Sequence, residues 1–264
     1  MTNKFMTQNN TNQLQWFVGF LEGAGSWQTN QGRSSFSIDQ QDPKVLYKVK
    51  KFVGYGKVNG PYTTKTGITF YRYKIGNLKG RKRLIDMVNG KLILKKTQLN
   101  FNNFLDMHNS SLQTADQILF KPTKSLPSFE DAWFSGYIDA KGSFSGFLTK
   151  DKESGEYVRA TVRFAVVQAS EKETFEHLKN IFGGSVQYTK VNEMYRLKIE
   201  SVKAVTKLIK YLDKFPLHST KTIPFKRFKK IHIRITDGKF KWRLESRRAK
   251  ERLFNLVKNI NNDN

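Results

Sequence analysis

The chain contains no cysteine and only four histidines in 264 residues. Disulfides, thiol nucleophiles and Cys-ligated zinc are therefore excluded, and the histidines are too scattered to form a cluster with metal-ligand spacing. Acidic residues are scarce too: 22 Asp and Glu stand against 47 Lys and Arg, leaving a net charge of +25. Such an excess repels itself unless a polyanion normally neutralises it, and nucleic acid is the leading candidate. A membrane surface would attract the same charge. The sequence, however, has no apolar run near about 18 residues, no signal-peptide core and no lone basic amphipathic helix, so no membrane partner is expected.

Residues 1–12 (MTNKFMTQNNTN) are polar and Asn-rich, without the Arg-rich amphipathic character of a transit peptide, and read as a disordered arm. The excess of Lys, Asn, Ile and Phe fits an AT-rich genome such as a mitochondrial one, and on that compositional ground a mitochondrial location is expected.

What is present is a duplication. WFVGFLEGAGSW (16–27) pairs with WFSGYIDAKGSF (133–144), and FSIDQQDPKVLYKVKKFVGYGKV (36–58) pairs without a gap with FAVVQASEKETFEHLKNIFGGSV (164–186). FYRYKI (70–75) and the following RLIDMVNGKLILKKTQLNFNNF pair with MYRLKI (194–199) and KLIKYLDKFPLHSTKTIPFKRF. Two copies of about a hundred residues each make a duplicated domain rather than a repeat array. The expected division is a first repeat at 13–109, a linker at 110–130 interrupted by Pro122 and Pro127, a second repeat at 131–230, and a basic extension at 231–264.

Within each copy the period of the apolar residues alternates between helical and two-residue spacing. Trp16, Phe17, Phe20 and Leu21, then Val45, Val49 and Phe52, then Leu84, Ile85 and Val88 recur as on a helix face. Phe36 and Ile38, Tyr71 and Tyr73, and Val162, Phe164, Val166, Tyr195 and Leu197 recur at period two, as in half-buried strands. The reading is α+β: two pseudo-two-fold-related αββαββα units forming a saddle of antiparallel sheets, each with one face covered by helices and one open. Alternation then sends Arg33, Ser35, Ser37, Arg72, Lys74, Arg159, Arg163, Arg196 and Lys198 to the open faces as a basic stripe. Exposed strands also carry such residues for solubility, but recurrence at matching positions favours binding.

The first repeated block resembles the LAGLIDADG motif of homing endonucleases and intron maturases, with FVGFLEGAG (17–25) and FSGYIDAKG (134–142) as the nine motif positions. The later KFPLHSTKTIPFKRF, and more loosely GKLILKKTQLNFNNF, extend the resemblance over most of residues 13–230. It implies that the two motif helices pair, and the small residues Gly19, Gly23, Gly136 and Ala140 would let their backbones approach closely.

In active members of that family the eighth motif position of each copy is an acid that holds divalent metal against the scissile phosphates. Paired carboxylates suit Mg²⁺, a hard cation that takes oxygen ligands. Here those positions are Ala24 and Lys141. Neither side chain can be an oxygen ligand, and an ammonium at Lys141 would repel a cation or neutralise a phosphate. Glu22 and Asp139, at the sixth positions, lie about 200° around the helix from the eighth and cannot substitute without a register shift. No catalytic residue and no metal site is therefore expected, and Mg²⁺ would enter only with bound RNA or if the chain cleaves DNA after all. Lys221, and loosely Lys95 or Lys96, match lysines that lie near the cleavage centre in relatives. Gln40 and Gln168, matched at strand ends, could read bases or act as hydrogen-bond partners near the axis.

A family member lacking both acids implies selection on binding. The leading expectation is a group I intron splicing cofactor, a maturase that binds structured RNA through phosphates and shape and stabilises the active intron fold. The alternatives are a DNA homing endonuclease that is inactivated or only binds its target, a DNA-binding repressor of its own locus, and a structural subunit of a ribonucleoprotein. RNA is favoured over DNA as partner, and a monomer is expected because two halves in one chain already supply the paired interface. The tail beyond Phe225 is rich in Lys and Arg with interleaved aromatics, and residues 242–257 read as a helix with Leu244, Leu253 and Phe254 as a partial apolar stripe. It is either a further phosphate-binding arm or a helix packed on the second half.

Overall fold

The computed structural model describes residues 8–30, 33–155, 157–237 and 245–260. The chain divides into two compact units, Met1–Ala140 and Lys141–Asn264. In the first, α1 (Gln8–Ala24) leads into β1 (Gly25–Asn30) and β2 (Arg33–Gln40), followed by α2 (Pro43–Val53), β3 (Lys57–Thr63), β4 (Thr69–Ile75), α3 (Leu78–Val88), α4 (Lys95–Asn109) and α5 (Trp133–Lys141). The second holds β5 (Ser143–Lys150), β6 (Tyr157–Ala169), α6 (Lys172–Phe182), β7 (Ser185–Thr189), β8 (Met194–Ile199), α7 (Val202–Lys214), α8 (Thr222–Thr236) and α9 (Arg247–Lys258). The α+β class and one four-stranded antiparallel sheet per unit are as expected, and each repeat continues into one helix more than αββαββα, α4 in one and α8 in the other.

The strand orders are β1-β2-β4-β3 and β5-β6-β8-β7, so the same two strands are central in each sheet. Their register explains the core. Phe36 faces Ile75 and Ile38 faces Tyr73, while Phe164 faces Ile199 and Val166 faces Leu197, and all eight are buried. Helices pack on that side: α1, α2 and α4 in the first unit, α6, α7, α8 and α9 in the second. Beneath them Trp27 meets Phe36, Phe101 and Phe104 at ring distances of 4.6, 5.1 and 4.9 Å. The matching residue in the second unit, Phe144, meets Phe164, Phe225 and Phe228 at 5.4, 5.6 and 5.2 Å.

Local chemistry sets the element ends. Asp42 caps α2 by accepting from the Lys44 N–H at 2.9 Å ahead of Pro43, and Gly54, in the left-handed region at φ 83°, closes it by donating to the Lys50 carbonyl. The second block of the repeat, expected to align without a gap, does not do so in three dimensions. Val45, Leu46, Val49 and Val53 of α2 are buried where Thr174, Phe175, Leu178 and Phe182 of α6 are, which places α6 one residue later relative to the strands. The extra residue lies before α6, where Ser170 takes φ 62°, and it is compensated after the helix, where Tyr55 between Gly54 and Gly56 has no counterpart. Two opposite slips of one residue cancel in a linear comparison.

The expected disordered arm is also corrected. Gln8 to Asn12 form the first turns of α1, with Gln8 Nε2 donating to Asn12 Oδ1 at 3.0 Å, and residues 1–7 lie outside the described residues. Between Ser110 and Ala132 the only regular element is one 3₁₀ turn, Thr114–Asp116. Three amide side chains hold this segment against the first unit, each both donating and accepting: Asn89 to Leu119 and Lys121, Gln98 to Thr123, and Asn109 to Ile118. The compact division falls after Ala140, not near residue 130, because α5 packs on α1.

In the tail, residues 231–236 belong to α8, and α9 buries Leu253 and Val257, the latter against Gly146, with Phe254 beside Tyr157 at 5.1 Å. The described tail is thus a helix packed on the second unit. Trp242 and Leu244 lie outside the described residues. No helix among those described is long and apolar enough to cross a membrane.

Candidate nucleic-acid interface

Two glycines set the closest approach in the first unit. A Cβ on Gly19 would lie 1.9 Å from the Trp133 carbonyl oxygen, and one on Gly136 would lie 1.9 Å from the Trp16 carbonyl oxygen. The α1–α5 contact is thus reciprocal, and only hydrogen fits at either crossing point. Gly23 is buried on α1, and Ala140 is half-buried near the end of α5.

The sixth-position acids belong to this contact. Trp16 Nε1 donates to Asp139 Oδ2 at 2.8 Å, and Trp133 Nε1 donates to Glu22 Oε2 at 2.6 Å. Glu22 Oε1 also accepts the Leu94 N–H at 2.7 Å, just ahead of α4. Each indole stacks on the ring four residues along its own helix, Trp16 on Phe20 and Trp133 on Tyr137. Both carboxylates are at most 5% exposed, and one oxygen of each is held by an indole across the helix contact. Sequence reading placed Trp16 on an apolar helix face and both tryptophans at the head of the repeated block, but did not foresee their hydrogen bonds to the sixth-position acids.

Ala24, half-buried, ends α1, and Lys141, exposed, ends α5. A methyl group and an ammonium do not fit the oxygen-liganded cation that the motif serves in active relatives. Among the described residues no three His, Asp or Glu side chains gather as a metal site.

On the open side of the first sheet, Arg33 and Lys74 are exposed, Ser35 is half-buried and donates to Gln28 Oε1 at 3.1 Å, and Arg72 is half-buried. Arg72 is gripped by Asp39 across the strand pair, Nε to Oδ1 at 2.7 Å and Nη2 to Oδ2 at 2.6 Å, a hydrogen bond that holds the guanidinium pKa above its usual value. It also lies over the Tyr62 and Phe70 rings at 5.9 and 5.6 Å. Ser37 is not open: it is 2% exposed, a one-carbon side chain on a central strand between Ser26 and Lys74. Short groups in such a row lie below the tips of their long neighbours, which alternation alone does not reveal.

In the second sheet Arg159 and Arg196 are exposed, and Arg163 and Lys198 are half-buried. Arg163 donates to Glu200 at 2.8 Å and stacks on Phe147 at 4.4 Å, while Lys198 pairs with Glu200 at 3.1 Å. The Arg163 hydrogen bond, then Lys198, hold the Glu200 carboxyl below its usual pKa. Half-exposed pairs of this kind contribute only about 0–1 kcal/mol to folding. Their larger effect is to withdraw charge from the face. Asp39 and Glu200 were not anticipated, because Arg72 and Arg163 meet them across strands rather than along the chain.

Gln40 and Gln168 fall on the helix-covered side by register, in phase with Phe36 and Phe164, and are half-buried. Lys95 and Lys96 are exposed at the start of α4. Lys221 is half-buried at the N-cap of α8, and its repeat partner is the buried Thr97.

Residues 134–232 match the family described as LAGLIDADG endonuclease. The chain is 27% identical to the "Probable intron-encoded endonuclease 4" of Neurospora crassa over 85% of its own length and 40% of that protein. It is 24% identical to the "Uncharacterized cox1 intron-2 37.2 kDa protein" of Schizosaccharomyces pombe over 85% and 66%, respectively. It is also 23% identical to the "Intron-encoded RNA maturase bI4" of Saccharomyces cerevisiae, over 69% and 26%. The match therefore spans between about a quarter and two thirds of these relatives' lengths. Among solved structures, the meganuclease I-SmaMI bound to uncleaveable DNA is similar with a TM-score of 0.72 at 16% identity, covering 95% of this chain and 99% of its own. I-CpaMI bound to uncleaved DNA gives 0.73 at 16% identity, covering 94% and 99%. At such identities the likeness establishes the fold.

Proposed function

Because the chain belongs to the LAGLIDADG family, whose cleaving members hold metal at the eighth motif position of each helix, we propose that this member binds nucleic acid without cutting it. Its role on this reading is that of a maturase, a cofactor for splicing of a group I intron RNA. The observation that carries the proposal is the pair Ala24 and Lys141, together with the engagement of the nearest acids, Glu22 and Asp139, by indole N–H groups. A chain that keeps the costly glycines of the helix contact and a charge of +25 while lacking metal ligands fits selection on binding.

The open-face cations Arg33, Lys74, Arg159 and Arg196, with Arg72, Arg163 and Lys198, supply phosphate contacts in this scheme, and Lys95, Lys96, Lys141 and Lys221 add to them. Binding the active intron fold better than its competitors would shift the RNA population by that difference in affinity. The yeast relative named as an RNA maturase favours RNA as ligand. The DNA-bound structural neighbours favour the second reading, a non-cleaving DNA-target binder. The cox1 intron named for the fission-yeast relative, with the excess of Lys, Asn, Ile and Phe that fits an AT-rich genome, supports a mitochondrial origin. A helix partner for α1 within the same chain supports a monomer.

Co-purification separates the two ligands. On the maturase reading one intron RNA co-purifies stoichiometrically, resists duplex DNA competitor at matched salt, and splices faster with protein than without. Retention of one duplex DNA sequence with no effect on splicing contradicts it.

A further inference from the structure

The helix that follows the first strand pair differs in charge between the two units: α2 carries four lysines and no acid, whereas α6 carries two lysines and two glutamates. On α2, Lys44, Tyr47, Lys48 and Lys51 follow one another at spacings of three and four residues and so share one helix face. All four are exposed, Tyr47 by 56%. Val45, Leu46, Val49 and Val53 bury the other face against the sheet, so the stripe lies on the side opposite the open sheet face. Tyr55, 38% exposed, continues it beside Gly80 of α3, whose Arg83 reaches the Val53 carbonyl at 3.5 Å. With the one-residue slip corrected, the matching positions on α6 are Glu173, Glu176, His177 and Asn180.

Solvation does not explain the difference, since acids and amides serve it equally well on α6. Lysines four and three residues apart, with no acid in the helix, repel one another by roughly 0.2–0.5 kcal/mol per pair. In a chain already at +25, a polyanion bound along the stripe would offset that repulsion. An exposed tyrosine among lysines also matches an unpaired base beside its phosphates, which folded RNA presents and duplex DNA does not.

We propose that the outer face of α2 is a second nucleic-acid-binding surface, for the backbone and an unpaired base of structured RNA, separate from the open sheet. The proposal rests on the reading that the chain binds nucleic acid. The test compares the wild-type protein with K44E/K48E/K51E, with the milder K44Q/Y47A/K48Q/K51Q, and with K74E/R196E on the open faces. A folded group I intron RNA and a 25-base-pair duplex DNA are titrated across a salt series, with thermal unfolding of each variant in parallel.

Expected is at least a tenfold loss of RNA affinity in both α2 variants, a salt dependence shallower by about two (roughly 0.7 per lost contact), and duplex DNA binding within twofold of wild type. The mirror variant E173K/E176K should leave RNA binding within twofold. Wild-type RNA affinity in both α2 variants, with loss only in K74E/R196E, overturns the second surface and leaves the nucleic-acid reading intact. A gain from E173K/E176K as large as the α2 loss also overturns it, because bulk charge then suffices. Binding of neither ligand by the wild-type protein removes the underlying reading as well.

Discussion

The two units share an interior and differ at their surfaces. Trp27 with Phe36, Phe101 and Phe104 in one, and Phe144 with Phe164, Phe225 and Phe228 in the other, fill the same space under the same strands. Outside, Lys44, Lys48 and Lys51 stand where the second unit has Glu173, His177 and Asn180, and a single acid withdraws one cation from the first open face and two from the second. Packing constrains buried positions in both copies alike. Surface positions are free to diverge, so differences there report what each unit meets.

The strongest test of sameness is the glycine contact. Gly19→Ala and Gly136→Ala each drive a Cβ into a backbone carbonyl that cannot rotate away. Each should cost about 3 kcal/mol or more, the upper end of overpacking penalties, measured by urea unfolding. A large cost at one and none at the other would break the reciprocity.

Two histidines at matched positions sharpen the difference next. His232 shares a hydrogen bond of 2.9 Å with Thr206, whereas His108 is 1% exposed with no partner at either ring nitrogen among the described residues. Lys82 occupies the Thr206 position. Burial first, then Arg81 and Lys82, push the His108 pKa down, while burial alone lowers that of His232. A depressed folded pKa means that the unfolded chain binds more protons below the ordinary His value near 6.5. Stability should therefore be complete above about pH 6.5 and fall as pH drops below it. His108→Leu should flatten that acid limb in urea midpoints taken from pH 5 to 8. An unchanged limb would show that His108 does not carry it.

A smaller effect is expected on the open faces. Asp39→Asn releases Arg72 and should strengthen nucleic-acid binding by roughly threefold at low salt, steepening the salt slope by about one contact. Glu200→Gln releases Arg163 and Lys198 and should exceed it in the same filter-binding series. Equal or weakened binding in both would mean that the acids orient the cations rather than mask them.

The least change is expected inside. Trp27 Nε1 is buried without a hydrogen-bond partner among the described residues, and the second unit has phenylalanine at that position. Trp27→Phe loses ring area but removes an unsatisfied N–H, which carries a penalty of about 1–3 kcal/mol. The net cost should stay below about 1 kcal/mol in thermal unfolding, against the usual 3–5 kcal/mol for truncating a buried Trp to Ala.

The duplication, the two strand pairs and the motif helices were legible because apolar period reports burial directly. The slip of α2 against α6 was not, because one left-handed Ser170 and one additional Tyr55 cancel along the chain. Helical residues Gln8 to Asn12 were hidden by composition, since Asn and Gln in series resemble a disordered arm until α1 extends through them. Of the site, the replaced acids were plain in the motif. The burial of Ser37 and the grip of Asp39 on Arg72 depend on neighbours across strands, which no spacing encodes.

Incubating the protein with Mg²⁺ or Mn²⁺ and a randomised duplex DNA library, then sequencing any new ends, tests the absence of a cutting centre most directly. With Ala24 and Lys141 at the helix ends, no metal-dependent product above the protein-free control is expected. Staggered ends at a defined sequence, appearing with the cation and vanishing with EDTA, would contradict it.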